Sequence, residues 1–142
     1  MSATSLANLT QSMRMATFRL ARRMRTERAV DSMSDGQLAV LAALTTHGPH
    51  TLGELAERER ISAPAMNRTV NCLQESGYVR RSADDNDGRK VVISMTDAGA
   101  DVVEETIRRR DAWLDGAMAT LTDQERSTLA RAAEIMQRMS AL

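Results

Sequence analysis

The chain has 142 residues, a formal net charge of zero and a single cysteine. This length allows one compact domain, or one module with helical appendages, and it leaves no room for a separate catalytic domain. The longest apolar run, residues 38–44, is too short to span a bilayer, and one cysteine cannot form an internal disulfide. Aromatic residues make up 2% of the chain, which offers no stacking platform for single-stranded nucleic acid. We therefore expect a cytoplasmic protein that is not bound to a membrane.

Charge is segregated along the chain although it sums to zero. Residues 1–30 hold six arginines against Glu27 alone, whereas residues 96–142 hold six arginines against nine acids. Residues 51–95 hold seven basic and seven acidic side chains. Any affinity of this central segment for DNA must therefore come from the placement of individual side chains and not from bulk positive charge.

The first two helices are predicted from apolar spacing and capping residues. Between residues 6 and 24, leucine and methionine recur at helical intervals, which indicates an opening helix of about twenty residues. Ser34 followed by Gln37 is the pattern of a capping box and starts a second helix. Gly48 and Pro49 end that helix.

The third and fourth helices follow with a short turn between them. Thr51 with Glu54 has the pattern of another capping box and opens a short helix. Ser62 is the expected N-cap of the next helix, with Pro64 in its first turn, and the helix ends before Gly77. Two helices joined by such a turn are typical of a helix-turn-helix.

The fourth helix has two different faces in a helical projection. The face expected to pack on the core holds Met66, Val70, Leu73 and Gly77. The opposite face holds Pro64, Asn67, Arg68, Asn71 and Glu75. Arginine matches the hydrogen-bonding edge of guanine, and asparagine matches that of adenine. If the helix stood alone, these polar residues would best be interpreted as ordinary solvated positions. Here, however, the helix belongs to a helix-turn-helix and is followed directly by two strands.

The two strands enclose a polar loop. Tyr78 to Arg81 and Lys90 to Met95 have strand-like patterns, and the acidic loop between them carries Arg89 near its tip. An Asp-Gly turn alone is weak evidence for a DNA-binding wing, because such turns are common at the ends of hairpins in general. After a helix-turn-helix, however, Arg89 could enter a DNA minor groove while Asp87 holds its guanidinium. The pattern predicts a winged helix-turn-helix that binds DNA.

Apolar stripes remain at both ends of the chain, outside the winged module. Thr96 is the expected cap of a long fifth helix, and Thr122 with Glu125 opens a sixth. These helices and the opening helix carry more apolar surface than a small monomer would cover. A two-fold helical interface would cover it.

The chain resembles the MarR family of multiple-antibiotic-resistance-type regulators over nearly its whole length. The residues that carry the resemblance are Leu52 to Ala56, Ser62 to Arg68, Leu73 with Gly77 to Val79, Asp87 with Arg89, and Met95 to Gly99. The resemblance implies a single, mainly α domain over residues 1–142 with a small β-wing. Its winged helix-turn-helix module would span residues 34–95, and residues 1–33 and 96–142 would form helical dimerisation layers. Cys72 departs from the family's pattern, in which a basic residue is common at this position.

The resemblance also implies a homodimer in which each winged module binds one half-site of a near-palindromic operator. The expected major-groove residues are Ser62, Pro64, Asn67, Arg68 and Asn71, and the expected wing residues are Asp87 and Arg89. Arg89 would be the minor-groove arginine and Asp87 its orienting partner. We expect a transcriptional regulator of double-stranded DNA, and a repressor rather than an activator.

A small aromatic or phenolic effector that releases DNA is a further expectation from the resemblance. A crevice bordered by Phe18, Arg22, Leu38 and Leu41 would suit an anion with an aromatic body. The alternative is that Phe18 and Leu41 are ordinary core residues and that Arg22 is solvated.

Other functions have less support in the sequence. His47 and His50 are spaced like two metal ligands, but Gly48 and Pro49 mark a turn between them and no nearby cysteine completes a site. No nucleophile elbow or glycine-rich phosphate loop occurs, so we predict no enzyme, no cofactor and no metal. The competing function is a winged-helix module for protein interaction or DNA architecture. Such a module would need neither Arg89 nor the polar face of the fourth helix.

Overall fold

The computed structural model describes residues 5–142, which form six helices and three short strands. The helices are α1 (Leu6–Arg25), α2 (Asp35–His47), α3 (Leu52–Glu59), α4 (Ala63–Glu75), α5 (Asp97–Met118) and α6 (Asp123–Ser140). The strands are β1 (His50–Thr51), β2 (Val79–Ala83) and β3 (Val91–Met95). The predicted fold class, mainly α with a small β-wing, is confirmed.

None of the helices within residues 5–142 combines the length and the apolar character that crossing a membrane requires.

Two of the predicted capping boxes are present in full. Ser34 Oγ accepts from the Gln37 amide at 3.1 Å, and Gln37 Oε1 accepts from the Ser34 amide at 2.9 Å. Thr122 and Glu125 form the same reciprocal pair at the start of α6. Both pairs satisfy amides that the first turn of a helix leaves without partners. The start of α2 and α6 is therefore determined locally by sequence.

The predicted capping box at Thr51 is only half formed. Thr51 Oγ1 accepts from the Glu54 amide at 3.2 Å, but the Glu54 carboxylate accepts from the Thr51 hydroxyl and not from its backbone amide. Thr51 also lies in β1, which the sequence did not predict. In this strand His50 pairs with Ile93 and Thr51 with Val92. A two-residue strand is too short to show any periodicity.

The sheet is antiparallel with strand order β1-β3-β2. β2 and β3 form the hairpin of the wing, with Val79 opposite Met95 and Ala83 opposite Val91. The predicted hairpin is therefore present, displaced by one residue at the start of each strand.

The chain divides into two compact units. The winged unit is Arg25–Arg109, and the helical unit combines the residues up to Met24 with Arg110–Leu142. The first half of α5 therefore lies in the winged unit, beyond the boundary at residue 96 that the sequence suggested. Gly99 shows why: a Cβ there would lie 2.3 Å from the carbonyl oxygen of Tyr78, so only glycine permits this close approach.

The core of the winged unit is closed and apolar. Its fully buried side chains are Val40, Leu41, Leu55, Met66, Val70, Leu73 and Ile93. They come from α2, α3, α4 and β3, so packing among these elements determines the position of α4. Gly77, predicted to face the core, is exposed. It follows the helix cap Ser76 and has a positive φ of 81°, which ends the helix.

Candidate nucleic-acid interface

The turn of the helix-turn-helix is fixed by backbone conformation and by one side chain. Arg60 ends α3 in the left-handed region with a φ of 55°, and Ser62 then takes an extended conformation. Ser62 Oγ accepts from the Ala65 amide at 3.2 Å, which confirms it as the N-cap of α4. Pro64 lies in the first turn, where its missing N–H costs nothing.

The two faces of α4 differ as predicted. Met66 and Val70 have no exposed surface, and Leu73 is buried. Arg68 is exposed on the opposite side, and its guanidinium makes no hydrogen bond or ion pair within residues 5–142. Asn71 is half-buried. The side chain of Arg68 is therefore free to contact a ligand without breaking a contact inside the protein.

Asn67 has a partner that the sequence analysis missed. Its Oδ1 accepts a hydrogen bond from Arg81 Nη2 at 2.9 Å, and both side chains are half-buried. Arg81 lies on β2 two residues after the buried Val79, so both side chains stand on the same face of the strand. This alternation was readable in the sequence and could have indicated that Arg81 faces the core side of the wing.

The wing loop is held by hydrogen bonds between its own residues. The Asp84 amide donates to the Lys90 carbonyl at 2.9 Å, and the Lys90 amide donates to the Asp87 carbonyl at 3.0 Å. Asp84 Oδ1 accepts from the Asn86 amide at 3.4 Å. The acidic residues of the loop therefore shape its backbone, which explains why an acidic sequence can present a basic tip.

Asp87 holds the backbone of Arg89 and not its guanidinium. Asp87 Oδ1 accepts from the Arg89 amide at 3.1 Å, and no ion pair joins the two side chains. The expected side-chain contact is thus replaced by an Asx-type turn, because an aspartate two residues earlier reaches the amide more readily than the far guanidinium. Arg89 is exposed, and its guanidinium has no partner in the described part of the chain.

The four residues expected to border an effector crevice have different environments. Leu41 has no exposed surface and Leu38 is buried, and both belong to the core of the winged unit. Phe18 lies in the helical unit with 65% of its surface exposed, and Arg22 is exposed on the same helix. The interpretation of Leu41 as an ordinary core residue is therefore the better one.

The helical unit contains an open apolar groove between α1 and α6, here called the helical groove. Its volume is about 720 Å³. It is lined by Leu6, Leu9, Thr10, Met13, Arg14, Thr17, Phe18, Ala132, Ile135, Met136, Met139 and Ser140. No residue of α1 or α6 within the described range is fully buried. The apolar residues of both helices thus remain accessible in one copy of the chain.

The two histidines and the cysteine were considered as candidates for a metal site. His50 is buried, and its Nδ1 lies 2.7 Å from the Gly48 carbonyl oxygen, while His47 contacts it edge to face. Within residues 5–142, histidine, cysteine, aspartate and glutamate form no group of three that could hold a metal ion. Cys72 is exposed on α4.

Comparison with known proteins identifies the family. The model of the MarR family matches residues 33–91. An HTH-type transcriptional regulator of Mycobacterium bovis is 37% identical over 130 residues, covering 92% of this chain and 91% of the relative. The HTH-type transcriptional repressor MdtR of Bacillus subtilis is 30% identical over 93 residues, 66% of this chain and 60% of the repressor.

A solved structure with the same fold contains DNA. It is a MepR mutant from S. aureus bound to an oligodeoxyribonucleotide, with a TM-score of 0.70 and 18% identity, covering 94% of this chain and 96% of that chain. At this identity the likeness shows the fold alone. The relatives, together with the exposed polar face of α4 and the wing, show which class of protein this is. The chain belongs to the MarR family and is a DNA-binding transcriptional regulator of that type, not an enzyme.

Proposed function

We propose that the chain is a homodimeric repressor that reads a near-palindromic operator with α4 in the major groove and Arg89 in the minor groove. One observation carries the proposal. Arg68 on α4 and Arg89 on the wing are exposed, and their guanidinium groups have no partner within residues 5–142, whereas the opposite face of α4 is buried in the core. A side chain with no internal partner on a well-packed helix can contact DNA without loss of protein contacts.

The major-groove residues would have different roles. Arg68 suits the two acceptors of guanine, and Asn71 can donate and accept on a base edge. Ser62 already uses its oxygen as an acceptor for α4, so its hydroxyl proton remains for a phosphate. Pro64 offers an apolar contact to a thymine methyl group. Asp87 would act by fixing the wing backbone beneath Arg89.

The helical groove supports the homodimer. A groove lined by leucine, methionine, phenylalanine and isoleucine would be unfavourable if left in water. A second copy presents the same side chains and would cover both grooves by two-fold symmetry. Two winged units related in this way would match half-sites about one helical turn apart.

Repression is favoured by the name of one relative and by the simplicity of its mechanism. The MdtR protein, 30% identical over 93 residues, is named a repressor. A dimer bound across a promoter excludes polymerase by occupancy alone, so repression needs no contact beyond those that bind DNA.

The test compares two arginine variants with a charge-matched control. Arg68→Ala should cost about 1–3 kcal/mol on the cognate operator and much less on random duplex DNA, as loss of a base contact does. Arg89→Ala should also weaken operator binding. Arg138→Ala removes the same charge from exposed α6 in the helical unit and should leave both affinities unchanged. Electrophoretic mobility titrations on the two DNAs measure all four proteins.

Two outcomes would contradict the assignment. Equal losses on cognate and random DNA for Arg68→Ala would make Arg68 a phosphate contact and not a base contact. A wild-type protein with equal affinity for every duplex would instead favour the architectural or protein-interaction module.

We also propose a small aromatic anion as the effector, bound by Phe18 and Arg22. These side chains are four residues apart on α1, so they are neighbours on one helix face, and Arg22 is exposed. Phe18 also lines the helical groove, so the effector would bind at the edge of the proposed dimer interface. An aromatic ring beside a guanidinium suits salicylate-like compounds. If the ligand is the switch, salicylate and operator must weaken each other's binding by the same factor. Calorimetric titration with and without operator DNA measures this, and equal salicylate affinity in both titrations would remove the effector from the mechanism.

A further inference from the structure

The contact between Arg81 on β2 and Asn67 on α4 links the wing to the face that we propose reads DNA. We propose that Arg81 fixes the amide orientation of Asn67, so that Asn67 selects guanine over adenine at one operator position. This inference rests on the proposed base-reading function of α4. It makes Arg81 a positioning residue that determines specificity without contacting a base.

The chemistry of the two groups determines which end of the amide faces Arg81. A guanidinium has only donors, so the atom that meets it at 2.9 Å must be the oxygen of Asn67 and not its nitrogen. Rotating the amide by 180° would place N–H groups against N–H groups beside a positive charge. Both side chains are half-buried, so breaking this contact would leave a charged donor only partly solvated.

Arg81 has no competing partner that would release Asn67. Within residues 5–142 no carboxylate forms an ion pair with Arg81. The backbone of Arg81 is also fixed, since it pairs with Ile93 in the sheet. The hydrogen bond therefore joins two rigid elements, and the amide of Asn67 is held from one side.

A fixed amide changes the base that Asn67 prefers. An unrestrained asparagine reads adenine by accepting from the N6 amino group and donating to N7. Here one lone pair of the oxygen is used by a charged donor, so an adenine amino group that reached the other lone pair would approach a positive charge. The free N–H groups instead suit the acceptors O6 and N7 of guanine. The expectation from sequence that Asn67 matches adenine is thereby replaced by an expectation of guanine.

The experiment measures base preference at every operator position by selection from random duplex DNA, followed by competition titrations. Asn67→Ala identifies the base pair that Asn67 reads. At that pair, Arg81→Ala should shift the preference from guanine toward adenine by roughly tenfold, because the amide becomes free to present both groups. Preferences elsewhere and the salt dependence of binding should stay unchanged. In the Asn67→Ala background, Arg81→Ala should have no further effect on base preference.

A second variant keeps the test decisive if Arg81→Ala unfolds. Asn67→Asp retains the acceptor for Arg81 but removes both donors, so the preference at the same pair should change from guanine to cytosine, whose amino group is a donor. Thermal unfolding confirms that each variant is folded.

Any one of several results would overturn the inference. An unchanged preference at that pair in Arg81→Ala would show that the contact has no role in selection, and an unchanged preference in Asn67→Asp would show that the N–H groups of Asn67 do not read guanine. A uniform loss on all sequences with a shallower salt dependence would make Arg81 a phosphate contact. If Asn67→Ala altered no position while Arg68→Ala did, the inference would fail and the proposed function would stand. A wild-type protein without base preference would reject both.

Discussion

The winged unit and the helical unit differ in how far they bury their apolar side chains. In the winged unit, Leu41, Leu55 and Met66 have no exposed surface, and the core is closed by residues of the same unit. In the helical unit, Leu9 is 51% exposed, Met139 is 56% exposed, and neither α1 nor α6 buries any residue within the described range. The winged unit therefore closes its core within a single copy of the chain, whereas the helical unit leaves its apolar side chains exposed.

This difference separates two requirements of a DNA-reading protein. Base contacts need side chains held on a rigid element, and a closed core supplies that rigidity to α4. Matching a symmetric operator needs a second copy, and the uncovered apolar groove is the surface that we propose for it.

Placing a charge in the helical groove should have the largest effect. Met136 lines the groove, and Met136→Asp would bury an unpaired carboxylate in the proposed interface. We expect a monomer by sedimentation velocity. Because the proposed dimer would hold its second winged unit at high effective concentration, we expect operator affinity to fall by roughly two orders of magnitude or more.

The neighbouring Gln137 provides the control for that variant. Gln137 is exposed on α6 outside the groove lining, so Gln137→Asp adds the same charge to the same helix. It should leave both the sedimentation coefficient and the operator affinity unchanged. If Met136→Asp remained a dimer of full affinity, the interface would lie elsewhere.

Two leucine truncations, one in each unit, should lower stability in different ways. Leu41→Ala removes a side chain with no exposed surface and should lower the free energy of unfolding by about 2–5 kcal/mol. Leu9→Ala should act mainly through association, so its loss of stability should depend on protein concentration more strongly than that of Leu41→Ala. Urea unfolding at two protein concentrations distinguishes the two. Equal behaviour of both variants would contradict the proposed difference between the units.

The smallest expected effect concerns the C-terminal boundary of the winged unit. Hydrogen bonds from Arg108 first, and then from Arg109, lower the pKa of Glu105, and Arg109 also donates to the Arg28 carbonyl at 2.9 Å. A carboxylate with a lowered pKa stabilises the fold above its unfolded pKa and loses this effect as pH falls through the folded pKa.

Glu105→Gln should therefore lower the melting temperature slightly at pH 7, since exposed ion pairs contribute little. The difference from wild type should disappear below the lowered pKa of Glu105. Calorimetric scans from pH 7 to strongly acidic pH measure it. A difference that persists unchanged in acid would show that the charge of Glu105 is not its cause.

Most of the helical framework could be predicted because its signals are local. Ser34 with Gln37, Thr122 with Glu125, and Ser62 with Pro64 each start a helix through contacts within one turn, and such contacts can be read from spacing alone. The buried face of α4 also followed from helical periodicity, except for Gly77, which lies beyond the helix end.

The features that sequence reasoning missed depend on contacts between distant residues. β1 exists because His50 and Thr51 pair with β3 some forty residues later, and Arg81 finds Asn67 only when β2 packs beside α4. The partner of Asp87 was misjudged for a different reason. The Asp87 carboxylate could reach either the guanidinium or the backbone amide of Arg89. Sequence spacing alone could not show that it would bind the amide.

Selection of bound sequences from random duplex DNA by the purified wild-type protein tests directly whether a dimer reads DNA with two winged units. We expect enrichment of one motif with two-fold symmetry, whose half-sites are about one helical turn apart, and two protomers bound per site. Enrichment of an unrepeated motif, or of none, would contradict a dimer that reads DNA with two winged units.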